Sequence, residues 1–195
     1  MLYRGLVIDT DSGLLEQARH VASPNHDERP SGCAPELILV HGISLPPDEY
    51  GGPWIDQLFM NALPSGAHPY FAAVAHLTVS SHVLVRRDGE LVQYVPFHRR
   101  AWHAGASTYC GRDRCNDFSI GIELEGSDQV PYEPIQYRRL AELIVALLKA
   151  YPSLSPERIA GHSEVAPGRK TDPGEAFDWM RLRALLSAEM ALRSA

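Results

Sequence analysis

Cysteine is scarce in this chain, which has three cysteines among 195 residues, Cys33, Cys110 and Cys115. An odd and sparse set does not suit the paired framework of a disulfide-stabilised secreted domain, so we expect reduced thiols. Cys110 and Cys115 would also suit half of a structural zinc site. No second cysteine pair follows them in the sequence, however, and a structural site needs four ligands.

Long apolar runs are also missing. No run approaches the roughly 20 residues that a transmembrane helix needs. Residues 1–17 carry acidic side chains early and contain neither a long apolar stretch nor a small-residue cleavage site, so no signal peptide is predicted. We therefore expect a cytoplasmic protein without a membrane partner. The formal net charge of -6 argues against nucleic acid as a partner.

The remaining composition is that of an ordinary globular protein. Apolar residues make up 45% of the chain and charged residues 22%, and we find neither an internal repeat nor a low-complexity segment. This length suits one domain with a sizeable core. We therefore expect a single domain over residues 1–195, acting as a monomer.

Strand signals occur in the first and middle parts of the chain. The apolar run 36–41 predicts a strand that is buried on both faces. Residues 79–85 and 91–95 flank Asp88-Gly89, a sequence that favours a tight hairpin turn. Residues 118–125 alternate between apolar and polar or small residues, which predicts a strand with one apolar face and one functional or solvated face.

Helix signals lie on both sides of these strands. Residues 54–63 follow Pro53 and predict a short helix, and 176–191 predict a terminal one. Leucine and isoleucine recur at helical spacing over 135–150, with proline just before and just after. The pattern predicts an α/β (α+β) fold with a central mixed sheet and flanking helices. The intervening segments 23–35, 44–53, 107–116 and 163–175 are predicted loops.

Two of the nine histidines stand beside glycine at the end of a short apolar segment, namely His41 before Gly42 and His162 after Gly161. We interpret six others as surface, core or structural residues, namely His20, His26, His68, His76, His82 and His98. Asp172 follows His162 by ten residues. Two imidazoles and one carboxylate form a catalytic zinc set with one open position. The alternative for Asp172, which precedes Pro-Gly, is an ordinary turn former.

Glu123 and Lys170 are candidates for the accompanying chemistry. Glu123 lies on the polar face of the predicted strand 118–125, where a carboxylate beside a metal could accept a proton from water. Lys170 lies two residues before Asp172 and could stabilise an oxyanion. The alternatives are a solvated glutamate on an exposed sheet face and a solvated loop lysine.

Long motifs in this order resemble a known family. They are LILVHGISLPP (37–47), GGPWI (51–55), RAWHAG (100–105), CNDFSIGIELEG (115–126) and GHSEVAPGRKTDPGEAFDW (161–179). The chain resembles the 1,6-anhydro-N-acetylmuramyl-L-alanine amidases, the AmpD-type enzymes of muropeptide recycling, from about residue 20 to 185. They belong to a zinc amidase family that also contains the peptidoglycan recognition proteins and has a central mixed sheet with flanking helices.

The resemblance implies that His41, His162 and Asp172 bind one Zn²⁺ ion per chain. It further implies that Glu123 is the catalytic glutamate and that Lys170 stabilises the oxyanion. The expected reaction is hydrolysis of the amide between the lactyl group of (1,6-anhydro)-N-acetylmuramic acid and the first L-alanine of the stem peptide. The expected partner is therefore a small-molecule muropeptide.

Two further residues match positions that bind substrate in the family. The resemblance implies that Arg114 holds the peptide-stem carboxylate and that Trp102 lines the sugar site. The alternatives are a surface charge for Arg114 and a core tryptophan for Trp102. The chain departs from the family at Gly42, where an asparagine that grips the peptide is common, and at 163–165, where Ser-Glu-Val replaces Cys-Asp-Ile.

Two other functions fit parts of the same pattern. A lytic amidase that acts on intact peptidoglycan would use the same residues, but the predicted lack of a signal peptide disfavours it. A non-catalytic muropeptide-binding module is disfavoured because all three candidate ligands, the glutamate and the lysine are present. No His-Glu-x-x-His sequence occurs, which disfavours a zinc peptidase or deacetylase of that type.

Overall fold

A computed structural model describes residues 5–194; residues 1–4 of the N-terminal segment and residue 195 at the end of the expected domain lie outside this part. The strands in residues 5–194 are, in chain order, β1 (Ile8–Asp9), β2 (Leu14–Leu15), β3 (Arg19–His20), β4 (His26–Asp27), β5 (Leu37–Ile43), β6 (Val83–Val85), β7 (Leu91–Gln93), β8 (Arg100–Ala101), β9 (Thr108–Tyr109), β10 (Arg112–Asp113), β11 (Ser119–Glu125) and β12 (Ile159–Gly161). The helices there are α1 (Trp54–Phe59), α2 (Phe71–Val74), α3 (Pro134–Ala150), α4 (His162–Val165) and α5 (Trp179–Ser194).

The main sheet has the strand order β12-β5-β11-β6-β7-β3. Strand β11 lies between β5 and β6 and is parallel to both, and β12 is parallel to β5. The predicted hairpin joins β6 to β7, and its Gly89 has a φ of +89° that favours glycine. Because β6 and β7 are antiparallel, the sheet is mixed, and the predicted fold class is confirmed.

One face of the sheet packs against α3 and α5. Side chains of alternate residues on β5 and β11 form this core with the apolar face of α3, including Ile38, Val40, Ile120, Ile122, Leu140 and Leu147. Burial of one such side chain contributes roughly 1.5–3 kcal/mol relative to exposure. His41 and Glu123 are out of phase with these residues and therefore lie on the opposite face.

Helix α3 is tied to the sheet edge that carries His41 and Glu123. It begins at Pro134, and the backbone N–H of Glu133 donates to Gln136 Oε1 at 2.9 Å, which caps the first turn. The Gln136 amide then donates to the carbonyls of Val85 and Glu125 at 3.1 and 3.0 Å. The start of α3 thus fixes the carboxyl ends of β6 and β11.

The structure corrects several expected boundaries. All seven residues of β11 are buried, so its second face is not solvated. Segment 163–175 begins inside α4, whose first turn carries His162, and segment 107–116 contains the short pair β9 and β10. Strands β9 and β10 pair only with each other, and α4 is a single turn, so both elements are too short for an apolar repeat to show in the sequence. None of the helices in residues 5–194 is long and apolar enough to cross a membrane.

Candidate metal and catalytic site

The carboxyl ends of three parallel strands bring the candidate residues together. His41 on β5 is the register partner of Glu123 on β11, so both side chains point to the same face of the sheet. Gly161 ends β12 opposite Val40, and His162 follows it directly as the first residue of α4. The backbone N–H of Ser163 donates to the carbonyl of Asp172 at 3.0 Å, which holds the Asp172 turn against α4.

Three potential ligand atoms converge at this edge. The Nδ1 atoms of His41 and His162 are 3.0 Å apart, and Asp172 Oδ2 lies 3.2 Å from the first and 3.1 Å from the second. Zinc–nitrogen bonds are about 2.0–2.1 Å, so two ligand atoms of a tetrahedral site lie roughly 3.3 Å apart. The observed separations therefore suit three corners of such a site.

Proton placement supports a cation between these atoms. His162 Nε2 lies 3.1 Å from the carbonyl oxygen of Ala104, which can only accept, so Nε2 carries the proton. A neutral His162 ring then presents an Nδ1 lone pair to His41 and Asp172. Burial lowers the pKa of His41, which favours the neutral ring that a metal requires. Convergent acceptors without enough protons between them repel one another unless a cation binds there.

Glu123 lies beside the three atoms and has an unusual environment. The residue is 8% exposed, and its Oε2 atom is buried without a hydrogen-bond partner among the described residues. Burial raises the pKa of this carboxyl well above its ordinary value; the nearby Asp172 charge raises it further, and Lys170 opposes the shift. A carboxyl with a raised pKa, held next to a candidate metal site, suits proton transfer near neutral pH.

An open cavity of about 710 Å³ gives access to the site. One wall is apolar and comes from α1, α2 and the segment after α2, with Leu58, Phe59, Val74 and Leu77. Lys170 and Arg169 also line the cavity, together with residues 126–130. A cavity of this size suits a small-molecule ligand rather than a single ion.

The sequence of the chain matches a known protein family. Residues 31–175 match the sequence pattern of the N-acetylmuramoyl-L-alanine amidases. The chain belongs to the N-acetylmuramoyl-L-alanine amidase family. The resemblance in the motifs and the expected enzyme class are thereby confirmed.

Within this amidase family, AmpD proteins are very similar to the chain. The 1,6-anhydro-N-acetylmuramyl-L-alanine amidase AmpD of Citrobacter freundii is 58% identical over 177 residues, which cover 91% of this chain and 94% of that protein. A crystal structure of a selenomethionine AmpD derivative has a TM-score of 0.89 at 57% identity, covering 92% of this chain and 99% of the other. AmpDh3 of Pseudomonas aeruginosa, solved in complex with anhydromuramic pentapeptide, has a TM-score of 0.56 at 29% identity, covering 77% and 59%.

Two residues predicted to bind substrate lie elsewhere in this amidase structure. Arg114 has a side chain that is 70% exposed and pairs with Asp117 at 3.2 Å. Trp102 is half-buried, and its indole N–H donates to Asp27 Oδ1 at 3.3 Å. Neither is among the described residues that line the cavity. Their roles in binding stay predictions that motif similarity alone supports.

The structure explains the departure at Gly42. A Cβ atom on residue 42 would lie 2.2 Å from the Tyr132 hydroxyl oxygen, which is too close. That hydroxyl donates to the carbonyl of Pro173 at 2.9 Å, next to Asp172. The phenol of Tyr132 therefore occupies the space that a side chain at position 42 would need in this amidase.

His103 is the site residue that motif spacing did not single out. Its Nδ1 atom lies 2.9 Å from His41 Nε2, on the far side of that ring from the converging ligand atoms. His103 lies in the RAWHAG motif. Because it follows His41 by 62 positions, the spacing of residues in the sequence did not indicate that the two are in contact. Only the folded chain brings the two imidazoles together.

Proposed function

We propose that the protein is a cytoplasmic, zinc-dependent amidase of muropeptide recycling. The reaction is hydrolysis of the amide that joins the lactyl group of 1,6-anhydro-N-acetylmuramic acid to L-alanine of the stem peptide. The observation that carries this proposal is the convergence of His41, His162 and Asp172 beside the unpartnered carboxyl of Glu123. The similarity to AmpD of Citrobacter freundii supports the anhydromuramyl substrate.

The residues fit a zinc ion bound by two imidazoles and one carboxylate. His41 and His162 would each supply Nδ1, and Asp172 would supply Oδ2, which leaves one position for water or substrate. Zinc in such a site would supply Lewis acidity, which polarises a carbonyl and lowers the pKa of water to about 7.

Glu123 and Lys170 have complementary roles in the proposal. Glu123 accepts a proton from the attacking water and delivers it to the leaving alanine nitrogen; its buried Oε2 has no other described partner that would compete for the proton. Lys170 carries a positive charge on the cavity wall, where it stabilises the oxyanion that develops on the lactyl carbonyl. Removal of one such stabilising group typically lowers turnover by about 100- to 1000-fold.

The cavity supports a muropeptide as substrate. Its apolar wall suits the carbon face of an anhydro sugar and alanine methyl groups, and its polar rim suits peptide groups. The AmpDh3 relative was solved in complex with anhydromuramic pentapeptide. We extend this substrate class to the present chain and propose that it acts as a monomer, which size-exclusion chromatography with light scattering tests.

The decisive experiment follows cleavage of purified anhydromuramyl-tripeptide by mass spectrometry. We expect release of free tripeptide, loss of release when a chelator removes the metal, and recovery when Zn²⁺ is restored. The Asp172→Ala variant should no longer retain zinc, because two histidines form a poor site. Failure of zinc-loaded wild-type protein to release tripeptide contradicts the proposal. Release of peptide from insoluble sacculi would instead support the lytic alternative.

A further inference from the structure

A chain of hydrogen bonds leads away from the metal site through His41. His41 Nε2 lies 2.9 Å from His103 Nδ1, and His103 Nε2 lies 3.2 Å from the hydroxyl oxygen of Ser119. The Ser119 hydroxyl in turn donates to the carbonyl of Cys115 at 2.6 Å. Two side chains thus connect the outer nitrogen of a candidate zinc ligand to the backbone.

The carbonyl oxygen of Cys115, at the end of this series of hydrogen bonds, determines where each proton in the series lies. Because the carbonyl of Cys115 only accepts, the hydroxyl proton of Ser119 points to it, and Ser119 Oγ is free to accept. His103 Nε2 therefore donates to Ser119, and His103 Nδ1 is an acceptor when the ring is neutral. His41 Nε2 must then carry a proton, which leaves its Nδ1 lone pair for a metal.

The surrounding structure holds His103 in this position. The Asn116 side-chain oxygen accepts from the backbone N–H groups of His103 and Ala104 at 3.2 and 2.8 Å. The imidazole of His103 lies over Gly121 on β11, where an added Cβ would come within 2.5 Å of the ring. The motif CNDFSIGIELEG therefore provides the residues that hold the His103 ring of the motif RAWHAG in place.

We propose that His103 is a positioning residue for the metal site, which it serves by fixing the tautomer and ring orientation of His41. This inference rests on the proposed zinc-dependent function. His103 does not reach the converging ligand atoms itself. It acts through His41, as the hydrogen-bond partners of metal-ligating histidines commonly do.

The two candidate zinc histidines differ in a way that makes this proposal testable. His162 donates from Nε2 to the carbonyl of Ala104, a backbone group that substitution cannot remove. His41 instead depends on a side chain, His103. Replacement of His103 therefore removes the outer partner of one ligand and leaves the other ligand intact.

The test compares zinc affinity in three variants by competition with a chromophoric chelator. His103→Leu keeps the volume but removes the acceptor, and we expect zinc binding to weaken by about 10- to 100-fold. His103→Asn places Oδ1 near the position of Nδ1, and we expect it to recover most of that loss. His82→Asn is the control, since the buried ring of His82 packs edge-on against His103 and accepts from the backbone N–H of Gly121, but has no contact with His41 among the described interactions. It therefore measures the effect of disturbing the surroundings of His103 without removing the acceptor for His41.

Proton exchange at the ring nitrogens of the zinc-loaded protein provides a second result that does not depend on activity. In the wild-type protein, the Nε2 proton of His41 should exchange slowly with solvent, because His103 accepts it. In His103→Leu, this proton should exchange faster, while the Nε2 proton of His162 stays protected. A general loss of structure would disturb both rings, so His162 is the internal reference.

Two results would overturn the proposal. One is equal zinc affinity in the wild-type and His103→Leu proteins, and the other is a loss in His103→Asn as large as in His103→Leu. Either leaves the proposed amidase function standing, provided that the wild-type protein binds zinc and cleaves the muropeptide. Absence of zinc binding in the wild-type protein would instead contradict the proposed function itself.

Discussion

Glu123 and Glu125 lie two residues apart on the same face of β11, and their environments differ sharply. Both are buried, with 8% and 2% exposure. Glu125 accepts from Arg86 Nη1 at 3.2 Å and from the backbone N–H groups of Gly51 and Arg87 at 2.6 and 3.2 Å. Glu123 has a buried oxygen without a described partner, and its neighbours include the carboxylate of Asp172.

The comparison separates two uses of a buried carboxylate. Glu125 links β11 to Arg86 and to the loop before α1. Its negative charge is balanced by a guanidinium and by two backbone N–H donors. The backbone of Glu123 is fixed in the sheet, but its buried carboxyl lacks matching donors. Burial of this group costs stability and raises its pKa. A buried group that is unsatisfied in this way is a candidate for catalysis, and a satisfied one is a candidate for structure.

The largest expected effect is on catalysis at Glu123. Glu123→Gln keeps the shape of the side chain but cannot accept a proton, so we expect turnover of anhydromuramyl-tripeptide to fall by about 10²- to 10⁴-fold. Zinc content should stay at the wild-type level, since Glu123 is not one of the converging ligands. Mass spectrometry of the products and metal analysis check both expectations. Wild-type turnover in this variant would remove Glu123 from the mechanism.

Glu125→Gln should have the opposite profile. Removal of this charge leaves the buried guanidinium of Arg86 without its most deeply buried partner, although Asp56 and Glu90 still contact it. We expect a loss of about 3 kcal/mol in the free energy of unfolding, at the lower end for a broken buried ion pair. Urea denaturation measures this loss. Turnover per folded, zinc-loaded molecule should change far less than in Glu123→Gln, and an equal loss would end the distinction between the two glutamates.

Gly42→Asn tests a close contact at the same edge of the sheet, between residue 42 and the ring of Tyr132. The new Cβ would collide with the hydroxyl of Tyr132, so we expect a destabilisation of roughly 1–3 kcal/mol. Tyr132→Phe removes the colliding oxygen and is the matched partner for a double-mutant cycle. The double variant should be more stable than the sum of the single effects predicts. Simple additivity would show that the cost of Gly42→Asn does not come from the Tyr132 hydroxyl.

The smallest expected effect is a pH dependence of stability in the zinc-free protein. The unfolded chain protonates Glu123 near 4.5, whereas the folded chain holds that proton to a higher pH because its carboxyl pKa is raised. The stability that Glu123 contributes is therefore fully present below pH 4.5 and is lost as pH rises through the folded pKa. Between pH 4.5 and 8, wild-type protein should lose stability relative to Glu123→Gln. A constant difference across this range, measured by urea denaturation at each pH, would contradict the raised pKa.

The sequence by itself determined much of the architecture. Apolar periodicity predicted the strands 36–41 and 118–125 and the helix over 135–150, and Asp88-Gly89 predicted the hairpin that makes the sheet mixed. These predictions succeed because spacing along one element specifies which face is buried. The order of long motifs also pointed to the family that the comparisons confirmed. Those same motifs contained His41, Glu123, His162, Lys170 and Asp172.

Only the tertiary structure decided how these residues are placed. The alternating pattern of 118–125 did not show that His103 packs over Gly121 on the second face of β11, because that contact depends on how the loop between them folds back. For the same reason spacing did not single out His103, although the fold places it against His41. Motif similarity suggested that Trp102 and Arg114 bind substrate, and this stays a prediction, since neither is among the described residues that line the cavity. Local patterns specify which way a side chain points, whereas its protonation, partners and access to a ligand depend on segments that meet only in the folded chain.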